Sequence, residues 1–415
     1  MNILVATLGS YGDVHPMVGI AVHLKKRGHN VTLFTNAYFE KLANKNNLNF
    51  VPIGSEEDYD YLSHLSLTDI SNSSKRFSAF LSAIALPNIR TAYDQLKKYG
   101  QPAKTVIVTS PMVFASRLIQ EKFDIPAVTV HISPVAVRST YKAPKITDPS
   151  IPDWMPGFSK RLFWWIVDKA VIDRMICPKL NAFRKEISLP PINRVLSKWA
   201  HSSLRVICLF PDWFAVPQPD WPPETHLTGF PLFDDGDDDL SKEVVDFLEA
   251  GEPPIVFSPG SFMRSWQQYF EASTKACGLL VKRGVLLSPY NHQIPANLPK
   301  GMRHFKYVPF RKLLPHAAAL VHHGGIGSCA QAMRAGIPQL IHPMAFDQYD
   351  NAARLLKLGV GDSIKLTDFR PDILSTKLQK LTNSPSTYQR CRIIAGHFEN
   401  ISPLIETCEL IESII

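Results

Sequence analysis

The chain has 415 residues, enough at about 150 per domain for two to three domains and for more than one buried core. Apolar residues make up 45%, and 45 Lys and Arg against 37 Asp and Glu leave a net charge of +8, which excludes a disordered or fibrous chain. The basic residues are scattered, densest at Lys25-Lys26-Arg27, which argues against a nucleic-acid surface and leaves solubility and some attraction to anionic ligands or membranes.

Residues 3–8 (ILVATL) read as a buried parallel strand bounded by Gly9, and GSYGDVHP reads as the loop after it. A helix is expected from Pro16, with Met17, Ile20, Ala21 and Leu24 at helical spacing and Gly28 ending it. Residues 30–35 (NVTLFT) form the next strand. This βαβ unit predicts a parallel sheet whose ligand crevice lies at the carboxyl ends of the strands, beneath Asp13 and His15. The opening MNILVATLGS has no basic segment and too short an apolar run for a signal peptide, and no apolar stretch nears the roughly 18 residues of a membrane span. Six widely spaced cysteines without a CxxC pair suggest free thiols, so the expected location is cytoplasmic.

Further strands are expected at 104–110, 125–133 and 205–210. The stretch PDWFAVPQPDWPPETH, too stiff and donor-poor to join a sheet, is expected as the interdomain linker. Strand signals resume at 253–261, 285–289, 305–309, 318–323 and 338–343. The expected fold class is α/β: two Rossmann-like domains facing across a cleft, an arrangement suited to joining two substrates. The boundaries are drawn at 1–212 for an acceptor-binding domain, 213–225 for the linker, 226–388 for a nucleotide-sugar-binding domain, and 389–415 for a terminal helix packing back on the first domain.

The richest stretch is residues 318–352. A strand runs into His322-His323-Gly324-Gly325-Ile326-Gly327 and then directly into a helix carrying Ser328 and Gln331 and ending near Gly336. Glycines at a strand-to-helix turn let backbone amides approach a ligand, and the helix N-terminus adds free N–H groups and partial positive charge, a place for a diphosphate. A histidine donor there can add a charge-assisted hydrogen bond. The same pattern also fits a tight turn with incidental histidines. Asp347-Gln348 can accept from and donate to adjacent sugar hydroxyls, although an Asp before a helix is equally an N-cap.

The motifs YVPF, LLPH, HHGG, PQL and DQxxN, in order from Tyr307 to Asn351, resemble the donor-binding signature of family 1 glycosyltransferases, which have the GT-B fold. GSYGD after the first strand and HLTGFPLFD at 226–234 are similar to bacterial members, and the Pro-rich linker resembles that of rhamnosyltransferases that build rhamnolipids. The resemblance implies that His323 or His322 contacts the diphosphate with the amides of Gly325, Gly327 and Ser328, that Ser261 also reaches the phosphates, and that Gly12 lies in the nucleotide-sugar site. It implies that Tyr307 stacks on the base where plant relatives have Trp, that Val308 bonds the base through its backbone, and that Asp347 and Gln348 hold the sugar. Plant members carry a catalytic His where this chain has Asp13, and bacterial members use Asp there, so Asp13 is the implied general base, its pKa raised by desolvation on closure. Gln331 replaces a ribose-binding Glu and is expected to serve a ribose diol.

The implied reaction is metal-independent and inverting: a hexose or deoxyhexose passes from a nucleotide-diphosphate sugar, UDP-glucose favoured, to a hydroxyl of a lipophilic acceptor. A dTDP-rhamnose-dependent rhamnosyltransferase of glycolipid synthesis and a catalytically silent sugar-nucleotide-binding partner are the alternatives. No cofactor is expected beyond the UDP- or dTDP-sugar donor. A DxD metal site at Asp58-Tyr59-Asp60 or at 234–239 lacks a strand and glycines beside it, and GSYGDVHP does not fit the dinucleotide fingerprint. The aromatic segment 154–175, with Trp164, Trp165, Lys160, Arg161 and Lys169, reads as an acceptor lip, as a peripheral contact with the inner membrane face, or as a packed helix.

Overall fold

Ile3 and Val5 point to one side of the first strand and Leu4 and Ala6 to the other, and all four are fully buried, so both faces of that strand must be covered. The computed structural model, which describes residues 1–64, 73–146, 150–152, 154–233, 239–260 and 266–414, builds two parallel sheets on that rule. The first comprises β1 (Asn2–Ala6), β2 (Asn30–Thr35), β3 (Asn49–Pro52), β4 (Thr105–Thr109), β5 (Ala127–His131), β6 (Val206–Cys208) and β7 (Thr225–Leu227), in the order β3-β2-β1-β4-β5-β6-β7. The second comprises β8 (Ile255–Ser258), β9 (Gly284–Leu287), β10 (Met302–Phe305), β11 (Ala319–His322), β12 (Gln339–Ile341) and β13 (Gly361–Ser363), in the order β10-β9-β8-β11-β12-β13. Chain direction across the sheet reverses between β1 and β4 and again between β8 and β11, and those switch points open the crevices in which ligands of such folds sit.

Two expectations about elements change. The helix expected from Pro16 begins at Tyr11 and runs to Lys26, with Pro16 inside it, because Ser10 and Asp13 form a capping box that satisfies amides ahead of the proline. Gly12, Asp13 and His15 therefore ride on the helix and not in a loop. The Pro-rich stretch expected as a linker ends in β7, which pairs in parallel with β6 (Val206↔Thr225), so the first sheet extends through it. FKYVP at 305–309 lies mostly beyond β10, whose last residue is Phe305.

The two sheets are joined by an apolar cluster of their own. Val206, Cys208 and Phe210 from the first sheet and Phe214 and Trp221 from the Pro-rich stretch pack with Ile326, Cys329, Met333 and Leu355 of the second. Trp213 stacks on His397 at 5.2 Å, and Phe230 stacks on Phe398 at 6.0 Å. The terminal helix Pro403–Glu412 returns to the first helix, where Cys408 and Ile411 enter the core with Val14 and Met17, and Glu412 pairs with Arg27 and His29, both at 2.7 Å.

Candidate active site

The acid at the start of the chain is held from its own turn. Asp13 Oδ2 accepts from the Ser10 backbone N–H at 2.8 Å and from the Ser10 hydroxyl at 3.1 Å, which leaves Oδ1 as the oxygen without a hydrogen bond among the described residues. The carboxylate occupies space that only glycine leaves open. A Cβ on Gly9, whose φ is +145°, would lie 2.2 Å from Asp13 Oδ2. Burial pushes the Asp13 carboxyl above its ordinary value, against the opposing pull of the Ser10 hydrogen bonds. Asp13 thus combines a capping role with a carboxyl that burial shifts toward protonation.

Across the cleft, β11 delivers the glycine-rich turn to the helix Ile326–Ala335. Gly324 has φ +94°, and a Cβ there would lie 2.6 Å from Ile341 Cγ2, so the turn requires glycine twice over, for conformation and for space. Gly327 is exposed, and a Cβ there would meet nothing within 4 Å, so the first turn of the helix is open on that side. The first amides of that helix have no partner within the helix, as at any helix N-terminus.

The histidine pair resolves into two unlike roles. His322 is fully buried: its Nδ1 accepts from the Gly324 N–H at 3.2 Å, so its Nε2 is the protonated nitrogen, 3.1 Å from Gln339 Oε1, and Gln339 in turn donates to the Cys329 carbonyl at 3.3 Å. Expectation put either histidine on the diphosphate; His322 is corrected to a brace of the turn, because both ring nitrogens are spent inside the protein. Burial lowers it to about 3. His323 is half-buried, its ring wedged between Gly260 and Gly325, where added Cβ atoms would stand 2.8 and 2.6 Å from it. Its Nδ1 has no partner among the described residues, and burial holds the ring at about 4. His323 is therefore neutral, and a neutral ring can still donate one N–H to an anion.

Asp347 precedes the helix Gln348–Leu358 and is held by Asn351, whose side-chain amide donates to Asp347 Oδ2 at 2.8 Å and to the Gly324 carbonyl at 2.9 Å. Burial raises the Asp347 carboxyl to about 6, the Asn351 hydrogen bond lowers it, and the charge of Asp13 raises it further, with Ser133 of the first domain on the lowering side. An acid from the first half thus acts on one from the second, each disfavouring the other's charge. Gln348 is a partial correction, since its Oε1 accepts from the Met344 and Ala345 N–H groups at 2.8 and 3.1 Å, leaving only its amide N–H groups for a ligand.

Of the other expected residues, Tyr307 is 72% exposed just beyond β10, Val308 is buried with Phe305, Leu313 and Leu314 so that its backbone is fixed, and Ser328 is half-buried on the first turn of its helix. Gln331 Oε1 accepts from Arg334 at 3.0 Å. Gly12 is exposed, and Ser261 lies outside the described residues, as does most of the acidic run at 234–239. Asp58 accepts from the Ser55 N–H at 3.0 Å, and Tyr59 is buried and stacked on Tyr38, so that DxD string serves a helix start and an aromatic core. The Trp-rich segment divides: Trp164 is buried beneath Arg138 and Trp165 is half exposed. Ser133, Asn351 and Gly324 were missed as site residues. The DQxxN spacing could have pointed to Asn351, four residues after Asp347, but nothing local marks Ser133.

The chain matches the glycosyltransferase family 28 N-terminal domain over residues 3–142 and the erythromycin biosynthesis protein CIII-like C-terminal domain over residues 285–398. It is 25% identical over 429 residues to O-mycaminosyltylonolide 6-deoxyallosyltransferase of Streptomyces fradiae, covering 99% of this chain and 97% of that protein. It is 24% identical to the sterol 3-beta-glucosyltransferase of Debaryomyces hansenii, covering 99% of this chain and 26% of that longer protein. The crystal structure of the glycosyltransferase VinC in complex with dTDP superposes with a TM-score of 0.71 at 19% identity, covering 100% of this chain and 99% of that one. With two parallel Rossmann-like sheets and these matches to both halves, the protein is a nucleotide-sugar glycosyltransferase of the GT-B fold. Within that class it is related to the antibiotic sugar transferases and the sterol glucosyltransferases.

Proposed function

We propose that the protein moves a hexose or deoxyhexose from a nucleoside diphosphate sugar to a hydroxyl of a lipophilic acceptor, with inversion, Asp13 acting as general base. What supports this reading is the placing of an acid, Asp13, at the first helix of the half that matches a glycosyltransferase N-terminal domain, and of Asp347, held by Asn351 against the glycine-rich turn, in the half that matches the sugar-transferase C-terminal domain. Asp347, Gln348 through its amide, and Asn351 behind them orient the sugar. The acceptor oxygen attacks the anomeric carbon as its proton passes to Asp13 Oδ1, and the bond to the diphosphate breaks with its electron pair leaving on the phosphate oxygen. The helix Ile326–Ala335 and His323 receive that developing charge. A single displacement inverts the anomeric centre. The matches to transferases speak for turnover over a silent partner protein, as does an acid kept unbonded at one oxygen.

For the nucleotide, the reading shifts from the expected UDP toward dTDP. Gln331, expected to serve a ribose diol, already accepts from Arg334 through its Oε1, so less of its amide is left for a 2′-hydroxyl. Two similar structures, VinC in complex with dTDP and the spinosyn rhamnosyltransferase SpnG complexed with thymidine diphosphate, point the same way. The deciding experiment incubates the protein with matched UDP- and dTDP-glucose and dTDP-rhamnose and a set of sterols, hydroxy fatty acids and macrolactones, and reads product masses. Transfer from dTDP-sugars at higher kcat/KM supports the reading, transfer from UDP-glucose alone restores UDP, and sugar-nucleotide binding with no transfer to any acceptor favours the silent partner.

A further inference from the structure

The helix Gly157–Val167 continues through a π-type turn, Asp168–Ile172, into the helix Asp173–Glu186. Its buried stripe is narrow: Lys160, Trp164, Asp168 and Ile176 repeat at helical spacing along one side. The opposite side carries Phe158, Leu162, Trp165 and Ile166, all at least half exposed or nearly so, with Phe163 beside them and Trp154, 81% exposed, just ahead of the helix. The more apolar face of this helix is therefore the outward one, the reverse of a helix packed on a core.

Charge selects the occupant. The acids of this segment are turned inward: Asp168 pairs with Arg138 and Ser197, and Asp173 accepts from the Arg194 and Val195 N–H groups at 2.8 and 3.1 Å. Arg161, Lys169 and Arg174 are exposed, and the Lys169 ammonium lies 5.0 Å from the centroid of the Trp165 ring. Exposed Trp and Phe flanked by cations, with the anions withdrawn, is the pattern of a helix lying in the headgroup region of an anionic bilayer. No helix among the described residues is long and apolar enough to cross a membrane, so the contact is one of surface docking.

We propose that this helix seats the protein on anionic lipid surfaces, Trp154, Phe158, Leu162, Trp165 and Ile166 entering the interface while Arg161 and Lys169 hold lipid phosphates. The helix is anchored through Asp168 to Arg138, in the segment leaving β5. The inference goes beyond sugar transfer and is tested without it.

Flotation of the full chain with vesicles of phosphatidylcholine and of phosphatidylcholine with 30% phosphatidylglycerol is the test. The expected result is recovery with the anionic vesicles at least about tenfold above the neutral ones, falling steeply between 0.1 and 0.5 M salt as the charges are screened. Phe158→Ser with Trp165→Ser and Ile166→Ser, and separately Arg161→Glu with Lys169→Glu, each abolish flotation while the melting temperature and nucleotide binding stay as in wild type. Equal recovery on both lipid compositions, no recovery on either, or undiminished flotation of both variants overturns the proposal. So does light scattering that shows a dimer which the triple serine variant splits, because a second copy of the chain then covers the face.

Discussion

Replacing Asp347 by Asn removes a buried charge while keeping an oxygen for Asn351 to donate to, so its effect on folding is calculable. Burial and Asp13 carry the Asp347 carboxyl from 3.8 to about 6, which at 1.36 kcal/mol per pKa unit costs the native state about 3 kcal/mol once the group is ionised. Because the folded value is raised, the native protein binds more protons than the unfolded chain between those two limits. Its stability falls as pH rises through that window and levels off above about 6. Asp347→Asn is therefore expected to match wild type at pH 3.5 and to exceed it by about 2–3 kcal/mol at pH 7.5, several degrees in melting temperature. The gain comes with a loss of donor affinity, since the sugar loses an anionic acceptor. Calorimetric melts of both proteins at the two pH values, with donor titrations at pH 7.5, check it. A variant no more stable than wild type at pH 7.5 refutes the reasoning, because the carboxylate would then carry no desolvation cost.

Asp13→Asn is expected to lower kcat by about 10²–10⁴-fold with nucleotide affinity unchanged, and to remove an acidic limb of the kcat profile that rises through a pKa above 3.8, read by steady-state kinetics across pH. Gly324→Ala forces a side chain into left-handed backbone against Ile341 and should destabilise on the order of 2–5 kcal/mol in denaturant melts. His322→Ala strands Gln339 and the Gly324 amide and should cost about 2–5 kcal/mol of stability. His323→Ala should melt close to wild type and lose diphosphate affinity. In wild type that affinity is expected to rise as pH falls from 8 to 6, since bound anion draws a proton onto a ring otherwise held at about 4.

Much of this was legible in one dimension. The strands around 3–6, 30–35, 105–109 and 319–322 are short apolar runs bounded by Gly or Pro, and the glycines after His323 announce a turn that must leave room for a ligand, because those signals reside in the residues themselves. The capping box that starts the first helix at Tyr11 was equally present in Ser10 and Asp13, but the proline drew the boundary later. Other features had no local signature. β7 is a strand because β6 offers it an open edge, not because Thr225–Leu227 is β-prone. His322 and His323 are neighbours of identical chemistry, and only packing sends one ring inward to Gln339 and wedges the other between Gly260 and Gly325. The coupling of Asp13 to Asp347 arises from residues remote in the chain and depends on how two domains set their distance and solvent exposure; pKa is a property of that environment, which residue order does not encode locally.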